Sequence, residues 1–334
     1  MTSERAAMSD PDLAGAVTDA LRAPSVQNTQ PWKWRILDDS VQLYADEDRH
    51  LYVTDPEQRD LVLSCGAALH HLLVALAARG VGTDVTRLPD PEDCDHLATV
   101  AVNPASAPDA LTASLYPAIA ARRTDRRRMS DDPVSPDQVE ALQEHAGHVG
   151  GLLVPVTEPH AREQLVATLT EANEQQRHEP GYASELRLWT HRLPGSHDGI
   201  PADAVAASVC GARPTGLRRF GPATLAQPPL SPGHTPDDAA EFLVVATPTD
   251  TVLDHIRAGE ATSAVLLAAT RMGLATTPLS QALEIDSCRH RIRTEVLRMP
   301  EYPQLVVRVG LPATGADELP VTPRRALRSV LLPG

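Results

Sequence analysis

Two stretches of this 334-residue chain, far apart in sequence, read as the same buried helix. Residues 59–79 (RDLVLSCGAALHHLLVALAAR) are apolar on nearly every face, which marks a helix enclosed on all sides, and Gly80 stands where such a helix closes. A shift of 193 residues lays this run on GEATSAVLLAATRMG at 259–273, matching Gly66 to Gly259, Ala68 to Ala261, Leu73 to Leu266, Ala75 to Ala268 and Gly80 to Gly273. Each run is followed by a strand-like segment, LATVAV at 97–102 and LVVRVG at 305–310, so the repeating unit is a helix plus a strand. Two alanine-rich core helices also resemble each other by composition alone; the strands that follow argue against that reading. The expected architecture is α+β: two fused half-copies, residues 1–108 and 109–334, with antiparallel-type sheets around central core helices.

A chain of this length buries roughly three quarters of its extended surface and has room for a cofactor cavity. The net charge of −14 argues against a general nucleic-acid or polyanion binder, which needs a basic surface to displace phosphate counterions. Any phosphate ligand must be held by a local basic cluster against the field of the whole protein. No apolar run is expected to reach the length of a membrane span, and MTSERAAMSDPD lacks a basic start followed by an apolar core, so a cytoplasmic chain with no membrane partner is expected. Cys65, Cys94, Cys210 and Cys288 are widely spaced without C-x-x-C and read as buried thiols. The histidines, including His70-His71 and His145 with His148, stand at no metal-ligating spacing, and no metal site is expected. There is no G-x-G-x-x-G or G-x-x-x-x-G-K-[ST].

Residues 11–22 read as a short amphipathic helix, and WKWRIL and VQLYA, joined around Asp38-Asp39-Ser40, as a hairpin. Residues 109–123, 136–146 and 160–178 look helical, and GLLVPV looks like a strand. Residues 193–240 carry Pro194, Pro201, Pro214, Pro222, Pro228, Pro229, Pro232 and Pro236 and hold little regular structure. A segment this long and irregular is either a passive connector or a lid.

Two motifs carry chemistry. In Ala23-Pro24-Ser25-Val26-Gln27-Asn28-Thr29-Gln30-Pro31-Trp32, prolines fix both ends of a loop whose side chains donate and accept hydrogen bonds. Such a surface suits the polar edge of a flat heteroaromatic ring; it also suits a turn that merely caps its own backbone. In Arg122-Arg123-Thr124-Asp125-Arg126-Arg127-Arg128, guanidinium groups and a hydroxyl offer a phosphate a set of charge-assisted hydrogen bonds. Arginines at a helix end also complement the helix dipole.

The segment A-P-S-x-x-N-x-Q-P-W resembles the one by which nitroreductase-superfamily proteins hold FMN, and Arg122, Thr124 and Arg126 match that family's R-x-S-x-R phosphate segment with threonine for serine. In the family these two elements come from different subunits of a dimer. Here the N-terminal ERAAMSDPD has no R-x-S-x-R and the second half has no second P-S-x-x-N-x-Q-P-W, so the chain is similar to the fused, monomeric Acg-like branch and carries one of each half-site. The similarity extends to the SCGAAL helix, Tyr182-x-x-Glu185-Leu186-x-x-Trp189, Asp198-Gly199-Ile200-Pro201 and Gly273-Leu274-Ala275-Thr276.

The resemblance implies a nitroreductase-like fold, a single FMN, a monomeric pseudo-dimer, and FMN contacts from Pro24, Ser25, Gln27, Asn28 and Gln30 in one half and Arg122, Arg123, Thr124 and Arg126 in the other. It further implies Asn173 toward the pyrimidine edge, backbone contact from Pro278, Ser280 and Gln281 near flavin N5, and Arg324 and Arg325 at the phosphate. The late arginine pair also reads as a solvated tail, and Asn173 as part of a polar helix face. The implied functions are FMN-dependent reduction of a small molecule by NAD(P)H, flavin-dependent oxidation of one, or non-catalytic sequestration of FMN beneath the 193–240 segment. A fused fold that has lost its flavin is a further possibility. No catalytic side chain is assigned.

Overall fold

The structure, a computed structural model, describes residues 12–193, 195–207, 216–221, 223–229 and 239–333. The N-terminal ERAAMSD, Cys210 and much of the expected lid lie outside the described residues.

After helix α1 (Leu13–Ala20) come strands β1 (Trp32–Ile36) and β2 (Ser40–Ala45), helix α2 (Arg59–Ala78), and strands β3 (Thr83–Arg87) and β4 (His96–Val102). Short helices α3 (Ala110–Ala113) and α4 (Tyr116–Ala121) lead to α5 (Pro136–His148), β5 (Leu152–Pro155), α6 (Pro159–His178) and α7 (Tyr182–Thr190). The chain continues with β6 (Glu241–Thr247), α8 (Val252–Arg271), β7 (Ala275–Leu279), α9 (Asp286–Arg291) and β8 (Tyr302–Gly310). The helix expected over 109–123 is thus two short ones, broken where Leu115 caps α4 and Pro117 sits in its first turn.

The strands form two antiparallel four-stranded sheets in the orders β1-β2-β4-β3 and β5-β6-β8-β7. The correspondence includes an irregularity: the β2–β4 register slips between Leu43 and Tyr44, and the β6–β8 register slips between Val245 and Ala246. The first two strands of each sheet are joined differently. Residues 37–39 link β1 to β2, whereas residues 156–240, with α6, α7 and the proline-rich stretch, lie between β5 and β6. Sequence inspection missed β3, whose residues alternate between partly buried and exposed and present no apolar face.

Helices α2 and α8 cross at the centre, and the repeated glycines mark the crossing. A Cβ on Gly66 would stand 2.1 Å from the Ile256 carbonyl oxygen, and one on Gly259 would stand 2.0 Å from that of Leu63. The two backbones therefore touch, with Gly66 and Gly259 face to face. Beyond the crossing, Ser263 Oγ lies 2.8 Å from Nδ1 of both His70 and His71. Burial pushes both imidazoles down, His70 to about 3, and keeps them neutral. Contrary to the expectation that no apolar run reaches the length of a membrane span, α2 is long and apolar enough to do so; it is instead buried within the protein against α1, α8 and the first sheet. The C-terminal segment returns to the first sheet, where Leu331 bridges Trp34 in parallel.

Gly66→Ala is expected to lower unfolding free energy by about 1–3 kcal/mol or more, because two backbones must separate. Gly147→Ala, on α5 with nothing within 4 Å of its added methyl, is the control and should be neutral or stabilising. Equal effects in urea unfolding would contradict the close crossing.

Candidate functional site

The loop between α1 and β1 holds a conformation that most side chains avoid. Gln27, Asn28 and Gln30 all have positive φ, at 48°, 56° and 53°, where non-glycine residues cost about 1–3 kcal/mol each. Local hydrogen bonds hold it: the Gln30 amide donates to Ser25 Oγ at 2.9 Å, the Val26 amide to Ser64 Oγ on α2 at 3.2 Å, and the Cys65 thiol to the Pro31 carbonyl at 3.0 Å. Distant segments complete the support. Asn28 Nδ2 donates to the carbonyls of Gly199 at 2.8 Å and Pro323 at 3.2 Å, and Arg49 to the Thr29 carbonyl at 2.7 Å. The Gln27 side chain is buried, yet neither end of its amide has a hydrogen-bond partner.

Across from this loop, the chain leaves α4 into Arg122, Arg123, Thr124 and Arg126, pinned beside the second sheet where the Asp125 amide donates to the Thr276 carbonyl. Arg122 is buried, with Nε and Nη1 unpartnered; Arg324 approaches from the C-terminal segment with Nε unpartnered. Burial first, then neighbouring guanidinium groups, lower Arg122 to about 10 and Arg324 to about 9. Burial and Arg218 lower Arg126 to about 10, with Asp125 partly opposing. Among the described residues, no carboxylate is one of the main charges acting on Arg122 or Arg324. Lys33 is the only lysine in the sequence and lies 2.9 Å from Asp46, so this basic cluster is made of arginine alone. Clustered positive charge without a counter-ion is unfavourable in the bare protein and is the arrangement an anionic ligand would relieve.

Two adjoining cavities share Pro24, Ser25, Thr124 and Arg126. One, of about 630 Å³ including its open side, is the arginine end, lined also by Arg22, Asn28, Arg122, Arg123 and Arg324. The other, of about 810 Å³ on the same measure, is the more apolar end, where Leu63, Ala67, Leu217, Phe220 and Leu305 face Gln27, Pro278, Ser280 and Gln281. Gln281 Oε1 and Thr262 Oγ1 also lack partners there.

Parts of the proline-rich segment cover both ends. Asp198 clasps Arg192 at 2.7 and 2.8 Å and Arg49 at 2.9 Å, and Trp189 stacks under the same two guanidinium groups. Arg126 donates to the Ala204 carbonyl at 3.0 Å and lies 4.9 Å from the Phe220 ring centre. Arg218 is paired with Glu284 and donates to Tyr182 Oη at 3.1 Å.

The structure brings together Pro24, Ser25, Gln27, Asn28, Arg122, Arg123, Thr124, Arg126, Pro278, Ser280, Gln281 and Arg324 around the two cavities. Gln30, Asn173 and Arg325 do not line them. Gln30 accepts from the Arg325 amide at 2.8 Å and donates to the His197 carbonyl at 2.8 Å; Arg325 reaches Asp46 at 3.1 Å. Asn173 donates to the Leu217 carbonyl at 3.1 Å and so holds the cover. Sequence inspection assigned no role to Arg22, Asp60, Ser64, Arg218 or Thr262 in the lining; of these, Arg22, two residues before Pro24, and Ser64, which opens SCGAAL, stood at a motif. Among the described residues no group of three His, Cys, Asp or Glu side chains stands at metal-binding geometry.

The family model described as "Nitroreductase family" matches residues 119–311. A Mycobacterium tuberculosis H37Rv protein named "Putative NAD(P)H nitroreductase Rv3131" is 42% identical over 315 residues, 94% of this chain and 89% of its own. The chain belongs to the nitroreductase family. Another family relative from the same strain, named "Putative NAD(P)H nitroreductase acg", is 35% identical over 95% of this chain and 94% of its own. The crystal structure titled as the FMN-dependent nitroreductase NfnB from Mycobacterium smegmatis in complex with NADPH is 16% identical, covering 64% of this chain and 94% of that one with a TM-score of 0.39.

Inorganic phosphate is expected to stabilise the ligand-free protein, by ~2.7 kcal/mol at a hundredfold excess over its dissociation constant. Arg122→Met with Arg324→Met should abolish that increment while raising the unfolding temperature without phosphate. The same phosphate response in wild type and variant would contradict the uncompensated cluster.

Proposed function

We propose that the chain binds one FMN across two halves divided near residues 108 and 109, and uses it as an oxidoreductase acting on a small molecule with NAD(P)H as hydride donor. The observation that carries this is a pair of adjoining cavities with unpartnered guanidinium nitrogens at one end and unpartnered buried amides at the other. An anionic tail joined to a flat ring with a polar rim satisfies both ends at once, and the tail's phosphate supplies the counter-charge that the arginines lack. The names of the two mycobacterial relatives support the NAD(P)H assignment.

In this reading Arg122, Arg123, Thr124, Arg126 and Arg324 hold the phosphate, Gln27 and Gln281 meet the ring's polar edge, and the Pro278–Gln281 backbone borders its reactive side. Bound there, the flavin supplies two-electron hydride exchange at N5. The protein's own part is positioning and the exclusion of water: the strained loop fixes the amides, and Leu63, Leu217, Phe220 and Leu305 dry the ring end. Gln30, Asn173 and Arg325 act one step back, by holding the loop and the cover. A single chain supplies both half-sites, so the working unit is a monomer.

A second reading, sequestration of FMN without turnover, is favoured by the clasp of Asp198 on Arg49 and Arg192, which closes the cover over the loop. Anaerobic titration of the FMN-loaded protein with NADPH or NADH separates the two. Bleaching, with reoxidation by a quinone or nitroaromatic, is expected for the oxidoreductase; no bleaching in wild type but bleaching in Asp198→Ala would favour sequestration. Arg122→Ala with Arg126→Ala is expected to release FMN and keep a cooperative unfolding transition, and retention of tightly bound FMN would refute the phosphate assignment.

A further inference from the structure

Beneath the ring end lies a buried cluster of charges that the proposed flavin contacts do not use. Asp60, in the first turn of α2, lines the cavity and is buried, as is Arg59 beside it. Facing them are Asp55 from the preceding turn, Glu284 from the segment after β7, and Arg218 from the cover. Arg126 lines the same cavity beside Arg218 and donates to the Ala204 carbonyl, and it is not one of the charges that act most on Asp60.

Three carboxyl groups thus share two guanidinium groups. With all three ionised the cluster would bury an unbalanced negative charge, which the low-dielectric interior opposes strongly enough to retain a proton. The hydrogen bonds select which group keeps it. Glu284 accepts from Arg218, from Gln176 and from Ser280 Oγ at 2.6 Å. Asp55 accepts from the Leu61 amide at 2.8 Å. Asp60 accepts none: its Oδ1 lies 2.7 Å from an Arg59 nitrogen without hydrogen-bond alignment, Oδ2 has no partner, and Arg59 donates instead to the Gln304 carbonyl at 2.7 Å.

We propose that Asp60 is a further functional residue of the ring-end cavity, a carboxylic acid that stays neutral at physiological pH and thereby sets how much negative charge the site tolerates on a bound flavin. The inference rests on the FMN reading. Burial raises the group to about 8, against the opposing pull of Arg59, so it is neutral below that value and ionised above it. A ring that takes up two electrons and one proton gains one negative charge. Beside neutral Asp60 that charge is accommodated; beside ionised Asp60 it is repelled, whereas the uncharged oxidised ring is little affected.

The test measures FMN dissociation constants, oxidised and dithionite-reduced under anaerobic conditions, between about pH 7 and about pH 9.5. For wild type, reduced FMN should weaken about tenfold relative to oxidised FMN across this range, and Asp60→Asn should remove most of that difference. An identical pH response in wild type and Asp60→Asn, or none in wild type, overturns the inference while leaving FMN binding intact. No FMN uptake at any pH overturns the FMN reading and the inference with it. A second readout needs neither ligand nor turnover: the infrared band of a protonated carboxyl should be present in the ligand-free protein near pH 7, fade through about pH 8, and be missing from Asp60→Asn. A band that persists unchanged in Asp60→Asn assigns the proton elsewhere and overturns the proposal.

Discussion

The contact of α2 with α8 at Gly66 and Gly259 is the constraint from which the rest of the architecture follows. Because neither residue has a Cβ, the helices meet at backbone distance, and the elements each helix carries are drawn to one common seam. The loop of Pro24 to Pro31 is tied to α2 through Ser64 and Cys65, and the Arg122–Arg126 segment is tied to the second sheet through Thr276. A wider crossing would part the amides of one half from the guanidinium groups of the other. The two sheets share strand order and even a register slip, and what distinguishes them is the 156–240 insertion between β5 and β6. That insertion supplies the cover.

The site stores unfavourable energy in two forms. Left-handed φ angles at Gln27, Asn28 and Gln30 aim side chains that would otherwise relax away. Arg122 and Arg324, gathered with no carboxylate acting on them among the described residues, raise the electrostatic energy of the bare protein. Both make sense if a ligand with an anionic end and a hydrogen-bonding rim completes the structure. The overall charge of −14 sharpens the point, since the cluster is positive against the background of the whole molecule.

Much of the central framework was legible in the sequence because it is written locally. The all-round apolar helix, its echo 193 residues later, the hairpin of WKWRIL and VQLYA, and the two motifs that line the cavities each show within a short window. What escaped depends on contacts between distant residues or on patterns with two meanings. Strand β3 has the alternation of an exposed edge rather than a core strand. Asp60 in a first helical turn reads as a routine complement to the helix dipole; only the fold surrounds it with Asp55, Glu284, Arg59 and Arg218. Gln30, Asn173 and Arg325 have the chemistry of ligand contacts, yet their partners lie in the supporting segments, which local patterning does not reveal.

Native mass spectrometry of the protein titrated with FMN tests the central claim most directly, because a site divided between two halves of one chain fixes both stoichiometry and assembly. The account predicts a single chain carrying one FMN, saturating at that ratio. FMN found only on a dimer of chains, or two FMN molecules on one chain, would contradict it.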